Sequence, residues 1–413
     1  VYDRLLFELR DFGTDSVELE QRVQEITQKQ VRNGWKLNVG QAIYLVATLK
    51  EKLYDLEDAV HRVFRPLPTF VKEVRPKVKK DGTISVVGLK FLGDQWSSIA
   101  GDFSRIDYPE FNLGSRQQIG RHLQHFGWKP CQHTEHGQPI VNEKVLMGIK
   151  DIPEATYISE YLMVQKRIAQ VESWIEAADE DTGRVHGQVN TNGAVTGRMT
   201  HSKPNVAQVP ASRAPYGVEC RSCWTVPEGY KLVGFDASGL ELRMLAHYMN
   251  DEEYTNEVIS GDVHTANQKL AGLESRDQAK TFIYALLYGA GDAKLGSVAG
   301  GSRATGEGLK KRFMSNLPAF ADLKTRVARE ATQGWIRGLD GRRLTVRSEH
   351  AALNTLLQSA GAIVMKQALI LLDKYGILWG LDYKIVGNIH DEVQSEVKAK
   401  DAEKFGRLAV SCL

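Results

Sequence analysis

Four cysteines in 413 residues, Cys131, Cys220, Cys223 and Cys412, are too few for a disulfide framework. Cys220-Arg-Ser-Cys223 has C-x-x-C spacing, but no second pair or histidine follows at zinc-ligand distance. Both read as ordinary reduced thiols, which suits a cytosolic protein. A large excess of one charge sign is lacking as well. The formal balance is only +2, so any nucleic-acid surface must come from local clustering. No apolar run reads as a membrane span, no signal peptide is visible, and repeats and low-complexity tracts are absent. The chain opens at Val1 without a methionine and stops at Leu413 inside a predicted helix, which reads as a fragment. What remains has ordinary globular composition and enough length for a large core divided into subdomains.

Several elements can be placed from pattern alone. Ser16 is a predicted N-cap for a helix ending at Asn33-Gly34. Leu45, Leu49, Leu53, Leu56 and Val60 then form one apolar stripe on a longer helix, a projecting antiparallel arm. After it, Arg62, Arg65, Lys72, Arg75, Lys77, Lys79 and Lys80 are interleaved with prolines before the turn signal Asp81-Gly82. This is either a solvated hairpin with a basic skin or an arm tip that touches phosphates or a partner protein. Ser115-Arg-Gln-Gln118 has capping-box form, and further helices are predicted over about 155–178 and 351–374. A strand over 231–235 runs straight into a helix. Hairpins are predicted around Asp340-Gly341 and over 384–397.

The most informative stretch is Arg276-Asp-Gln-Ala-Lys280-Thr-Phe-Ile-Tyr284-Ala-Leu-Leu-Tyr288-Gly289. Spacings of four stack Arg276, Lys280 and Tyr284 on one helix face. Two cations followed by a flat ring match the order of groups along a nucleoside triphosphate. Alone, the pattern would equally suit an amphipathic helix with solvated cations and a core tyrosine. Two acidic clusters flank it, however: Asp236 at the end of an apolar strand, and Asp391-Glu392 at the tight point of a hairpin. Strand-end carboxylates converging on hard cations are what two-metal phosphoryl transfer requires, and the general base is not evident in such a site.

These residues resemble DNA polymerase I, or family A, polymerases. Asp236-Ala-Ser-Gly-Leu-Glu241-Leu-Arg243, the helix from Arg276 to Gly289 and His390-Asp391-Glu392 are similar to its motifs A, B and C. Thr196-Gly-Arg198-Met-Thr200 with Pro204-Asn205 and Gln208, and Asn354-Thr-Leu-Leu-Gln358-Ser359, resemble further signatures of the family. The resemblance covers nearly the whole chain in order and is strongest to replicative polymerases of short-tailed and related bacteriophages.

The resemblance implies an α+β right-hand fold with an antiparallel-sheet palm, helical fingers and a helical thumb. Residues 1–37 would connect to the palm, 38–185 form the thumb with its basic hairpin, and 246–344 form the fingers. The palm would be split between 186–245 and 345–413, the second part truncated. The implied activity is primer-directed DNA synthesis, with primer-template DNA and deoxynucleoside triphosphates as substrates. Asp236, Asp391 and the carbonyl of Ala237 would bind two Mg2+ ions, with Mn2+ as a substitute. Glu392 would support that site, and Lys280 would share in catalysis. Arg276, Lys280, His264 and Tyr284 would hold the nucleotide, and Glu241 would exclude ribonucleotides. Arg198, Gln208, Asn354, Gln358 and His390 would contact primer-template DNA near its minor groove, where donors and acceptors check pair geometry rather than sequence.

Each role has a plainer counterpart. His264 would also serve as a capping or core histidine, Glu241 as a solvated helix residue, and Arg198 as the partner of a structural carboxylate. Asn354 and Gln358 could bond each other at i, i+4, and Tyr288 reads as packing. Ala285 departs from the family's glycine. The Asp-x-Glu pair in the N-terminal part of the chain, Asp55-Leu-Glu57, lies in the amphipathic helix, so a proofreading site is not expected in this chain. A processivity factor at the thumb hairpin and a replisome helicase-primase are the implied partners, in the cytoplasm of an infected bacterial host. The alternatives are a catalytically impaired primer-template binding fragment and a single-subunit RNA polymerase, against which Glu241 and Glu392 argue.

Overall fold

A computed structural model describes residues 3, 4, 9 and 12–413, the Trp96 side chain excepted. Most of the first eleven residues of the predicted connector therefore lie outside the described residues. The chain divides into two units, one built from 1–39 and 174–413, the other from 40–173. Antiparallel ribbons and small sheets sit beside separate runs of helix, an α+β architecture.

The larger unit is organised on a three-stranded antiparallel sheet: β1 (Tyr230–Asp236), β2 (Tyr383–Ile389) and β3 (Glu392–Lys398), with β3 in the centre. Register runs from Tyr230 opposite Lys398 to Asp236 opposite Glu392, and Ile389 faces Glu392 across the β2–β3 turn. β2 carries an irregularity between Ile385 and Gly387, where a Cβ would lie 2.1 Å from the Trp35 ring. Only glycine fits that approach.

One face of the sheet buries Phe235, Ile385, Val393 and Val397 against three helices: α1 (Thr14–Asn33), α5 (Glu349–Leu378) and α6 (Ala402–Cys412). Between β1 and β2 the chain leaves the sheet to build a helical region. It includes α2 (Leu240–Met249), α3 (Val263–Ala271) and α4 (Arg276–Leu287). Its core is centred on Phe282, Phe313 and Phe320, whose rings stack edge to face at 5.8 and 5.4 Å.

Several sequence expectations need correction. Gly13, not Ser16, is the N-cap of α1. Ser16 lies inside the helix, where its hydroxyl donates to the Gly13 carbonyl at 2.8 Å, a bond that competes with its capping use. Leu53 is only half-buried, so the stripe on helix Val39–Val63 narrows to Leu45, Leu49, Leu56 and Val60. Finally, α5 is long and apolar enough to cross a membrane, contrary to the reading that no run approaches a span. Yet 72% of its most apolar window is buried inside the protein, as a core helix requires.

In the smaller unit, strand Thr69–Val74 pairs with Phe103–Asp107, and the Asp81-Gly82 turn is closed by a bridge between Val78 and Ile84. The basic residues of this segment are all exposed. Ser115 caps helix Arg116–His125 by accepting from Gln118 N, but the Gln118 side chain accepts from Asn112 N, so the predicted box is only half formed. Nearby, His122 stacks on Phe111 at 3.9 Å, and burial brings its pKa down to about 4.

A buried ion pair ties the sheet to its surroundings. Arg184 holds Glu396 on β3 through two bonds of 3.0 and 2.7 Å and also donates to the carbonyls of Asn33 and Gly34. Removing one partner strands the other charge, a loss of about 3–5 kcal/mol in such pairs. Glu396→Ala should therefore lower the urea midpoint of the larger unit, and Glu396→Leu with Arg184→Met should recover most of it. Equal midpoints for Glu396→Ala and the parent would show the pair to be dispensable.

Candidate active site

The acidic centre forms where β1 ends and the β2–β3 turn begins. Only His390 and Asp391 separate the two strands, and His390 takes a left-handed conformation (φ 61°) to make that turn. The Ala237 amide donates to the Asp391 carbonyl at 3.0 Å, extending the β1–β3 pairing past Asp236. Asp236, Ala237, Asp391 and Glu392 are thus brought to one sheet edge. Partial withdrawal from water, then the charges of Asp391, Glu392 and Glu241, raise the Asp236 carboxyl above the ordinary carboxylate range. The Glu392 carboxylate accepts from Gln394 two residues along β3, on the same strand face.

Among the described residues no three His, Cys, Asp or Glu side chains converge into a closed metal cage. Two carboxylates and a carbonyl are instead an open, all-oxygen set. That suits Mg2+, which binds through one or two carboxylates and keeps its other positions for water and phosphate oxygens. The neighbouring negative charges that raise the proton affinity of Asp236 would favour a divalent cation there too.

Helix α4 begins with a full capping box: Ser275 accepts from Gln278 N at 3.2 Å, and the Gln278 side chain accepts from Ser275 N at 3.3 Å. Ala279, Phe282, Ile283 and Leu286 face the core, which leaves Arg276 and Lys280 exposed and Tyr284 half-buried on one side. At its far end Gly289 has φ 73°, and a Cβ there would lie 2.4 Å from the His350 carbonyl oxygen, so α4 can close onto α5 only with glycine. Arg276 is not free: its Nε donates to Asp262 at 2.7 Å, and that bond holds the Asp262 carboxyl far below the usual range. The same aspartate caps α3 through His264 N and Thr265 N.

His264 follows on α3, its ring 6.3 Å from that of Tyr284. Burial, then Arg276 and Lys280, lowers its pKa, so the ring is neutral near pH 7. Burial and then Glu241 raise the Tyr284 phenol, with Tyr288 and Asp391 adding to the shift. The end of α4 therefore lies within the field of the acidic centre.

Arg198 and Glu241 meet each other. Arg198 donates to Glu241 Oε1 at 2.9 Å, and both side chains are largely covered. His390 is exposed on its turn, its pKa lowered by partial burial and then by Arg198. Gln208 ends a short turn, Val206–Gln208, capped by Asn205. Asn354 and Gln358 lie half-buried in the first half of α5. Tyr288 is half-exposed, 6.2 Å from Tyr284, and not the packed residue expected. Sequence reasoning missed Asp262 as the partner of Arg276, although Asp before an apolar residue is an N-cap signal. It also missed Gln394, for which the pattern of β3 gives no sign.

An antiparallel sheet presenting strand-end carboxylates, with a helical region inserted between its strands, is the architecture of a polymerase-type palm. The comparisons agree. The family model "DNA polymerase family A" matches residues 90–413, and the chain belongs to that family. It is 37% identical to the DNA-directed DNA polymerases of Enterobacteria phage T3 and Escherichia phage T7, over 94% and 92% of this chain. It spans 65% and 63% of those two proteins. DNA polymerase I of Pseudomonas aeruginosa is 27% identical over 87% of the chain and 41% of that protein. Among solved structures, the polymerase domain of Pol1 from M. smegmatis, in complex with DNA primer-template and dNTP, matches with a TM-score of 0.80. That match covers 99% of this chain and 69% of the other at 21% identity, a likeness of fold.

Proposed function

We propose that this chain extends a primer 3′-hydroxyl with deoxynucleoside triphosphates under the direction of a DNA template, in phage DNA replication. The observation that carries the reading is the junction of Asp236 and Asp391 at one sheet edge through the Ala237–Asp391 bond, with Tyr284 of the cationic helix in their field. Asp236, Asp391 and the Ala237 carbonyl would hold Mg2+, which when bound activates the primer hydroxyl and neutralises the leaving pyrophosphate. Arg276, Lys280 and His264 bind the triphosphate, and Tyr284 packs beside the sugar and base. For Arg276 this means exchanging Asp262 for phosphate, a swap between charge-assisted bonds. Glu392, steadied by Gln394, keeps a further negative charge at the centre.

Arg198, Gln208, Asn354, Gln358 and His390 face primer-template DNA in this reading. Residues 40–173 would serve as thumb, the sheet with α1, α5 and α6 as palm, and the inserted helices as fingers. The exposed basic segment of the smaller unit is the place for a processivity factor. A helicase-primase and the host cytoplasm complete the proposal.

Primer extension with deoxy- and ribonucleotides tests it. Extension with deoxynucleotides alone supports the reading. Binding without extension marks an impaired primer-template binder, and preference for ribonucleotides marks an RNA polymerase. Glu241→Ala should accept ribonucleotides more readily, because a carboxylate beside the sugar excludes a 2′-hydroxyl by volume and by leaving it poorly paired. Since the substitution also strips Arg198 of its partner, Glu241→Gln separates charge loss from volume loss. An unmoved discrimination ratio in Glu241→Ala would assign the gate to another side chain.

A further inference from the structure

Behind the nucleotide-facing surface lies a buried polar group that the reading above does not use. Asn267 is wholly buried on α3, one turn after His264, so their side chains are neighbours on one helix face. Its Oδ1 accepts from the Tyr254 hydroxyl at 3.2 Å, while its Nδ2 has no partner. The His264 Nδ1 atom is also buried without a partner. An unmet buried donor or acceptor is expensive, and these two stand three residues apart in sequence.

The chemistry of the pair determines how they can serve each other. Tyr254 is 3% exposed, and burial pushes its phenol up, so it keeps its proton and must donate it. Its bonded acceptor is Asn267 Oδ1, which orients the amide and leaves Nδ2 as a donor. A donor can satisfy His264 Nδ1 only if that nitrogen carries a lone pair. The neutral ring must then bear its proton on Nε2.

We infer that Asn267, oriented by Tyr254, is a positioning residue that holds His264 in the Nε2–H tautomer by donating to its Nδ1 through one bridging water. The proton is thereby kept on the nitrogen directed away from the amide. In the phosphate-binding role proposed for His264, on which this consequence rests, that nitrogen is a ready donor to an oxyanion and requires no change of protonation when the nucleotide arrives. The tautomer itself is a property of the free protein and does not depend on the polymerase reading.

Two measurements test the inference. Long-range 1H–15N correlation spectra of nucleotide-free protein labelled at histidine, with His264 assigned by its substitution, report the tautomer directly. The parent should show Nε2–H, Asn267→Leu a mixture or Nδ1–H, and Asn267→Thr, which retains a hydroxyl donor, should return toward the parent. Steady-state extension then reads the consequence. Losing one aimed hydrogen bond is worth about two- to tenfold, so Asn267→Leu should raise KM for the nucleotide by about that factor, with kcat changed less. In a His264→Ala background the same substitution should have almost no effect, since Asn267 acts through that ring. If Asn267→Leu fails to fold, Tyr254→Phe, which releases the amide, takes its place in both measurements. A parent Nδ1–H tautomer, or spectra unchanged by the substitution, overturns the inference. So does a KM effect that persists undiminished without His264. Absence of extension in the parent chain would overturn the polymerase reading and leave the tautomer test intact.

Discussion

Asp391→Asn should abolish primer extension while leaving primer-template affinity within about threefold, because such affinity comes mainly from phosphate contacts elsewhere. The substitution keeps the volume and leaves intact the Asp391 carbonyl that accepts from Ala237, so the turn should survive. What disappears is a negative charge among Asp236, Glu392 and Glu241. An amide oxygen is a far weaker ligand for a hard cation than a carboxylate. Loss of one preorganised electrostatic group at a reacting centre typically costs about a hundred- to a thousandfold in rate, and loss of a metal ligand more. Single-turnover extension, fluorescence-based primer-template binding and thermal melting on the same preparation separate chemistry from binding and folding. Near-parental extension in Mg2+ by a folded Asp391→Asn protein would remove the two-carboxylate assignment.

The next largest effect is expected at Tyr284. Its ring is half-buried beside His264 and Tyr288, and its phenol lies in the field of Glu241 and Asp391. A deoxynucleotide brings a 3′-hydroxyl that can bridge to its own phosphate oxygens. A dideoxynucleotide lacks that group, and the phenolic oxygen of Tyr284 can supply the missing hydrogen bond. Phenylalanine keeps the ring and loses the bond. A hydrogen bond to a charged group is worth about 1.5–3 kcal/mol, or roughly ten- to more than a hundredfold in selectivity. The parent should thus incorporate dideoxynucleotides almost as readily as deoxynucleotides, and Tyr284→Phe should discriminate strongly against them. Competition between the two substrates in both proteins provides the measurement. A ratio equal in parent and variant would make Tyr284 a packing residue.

How much of this was legible beforehand differs by kind of interaction. Helix α4 could be placed because its signals are local: two cations and a ring at spacings of four. β1, β2 and β3 were readable from short apolar runs, and Asp236 and Asp391 from their strand-end positions. What sequence could not show is which polar groups meet across the fold. Arg198 and Glu241, Arg276 and Asp262, and Arg184 and Glu396 are joined by tertiary geometry, with no periodicity to betray them. The same holds for Asn267, whose burial beside Tyr254 depends on how α3 packs. Ser16 misled because a serine near a helix start fits both a cap and a first-turn position, and only the backbone at Gly13 decides between them.

The pairing of β1 with β3, with the helical region inserted between, also bears on the order in which the molecule is made. Asp236 leaves the ribosome long before Asp391, and their strands join only by closing a loop on the order of 150 residues, a step whose entropic cost grows slowly with length. Domains fold as they emerge, but this one cannot complete its acidic centre until its late strands arrive. Under the proposed function, a nascent chain that already displays Arg276, Lys280 and Tyr284 would have no second carboxylate to work with. Competence would then come in a single late event, the docking of a central strand.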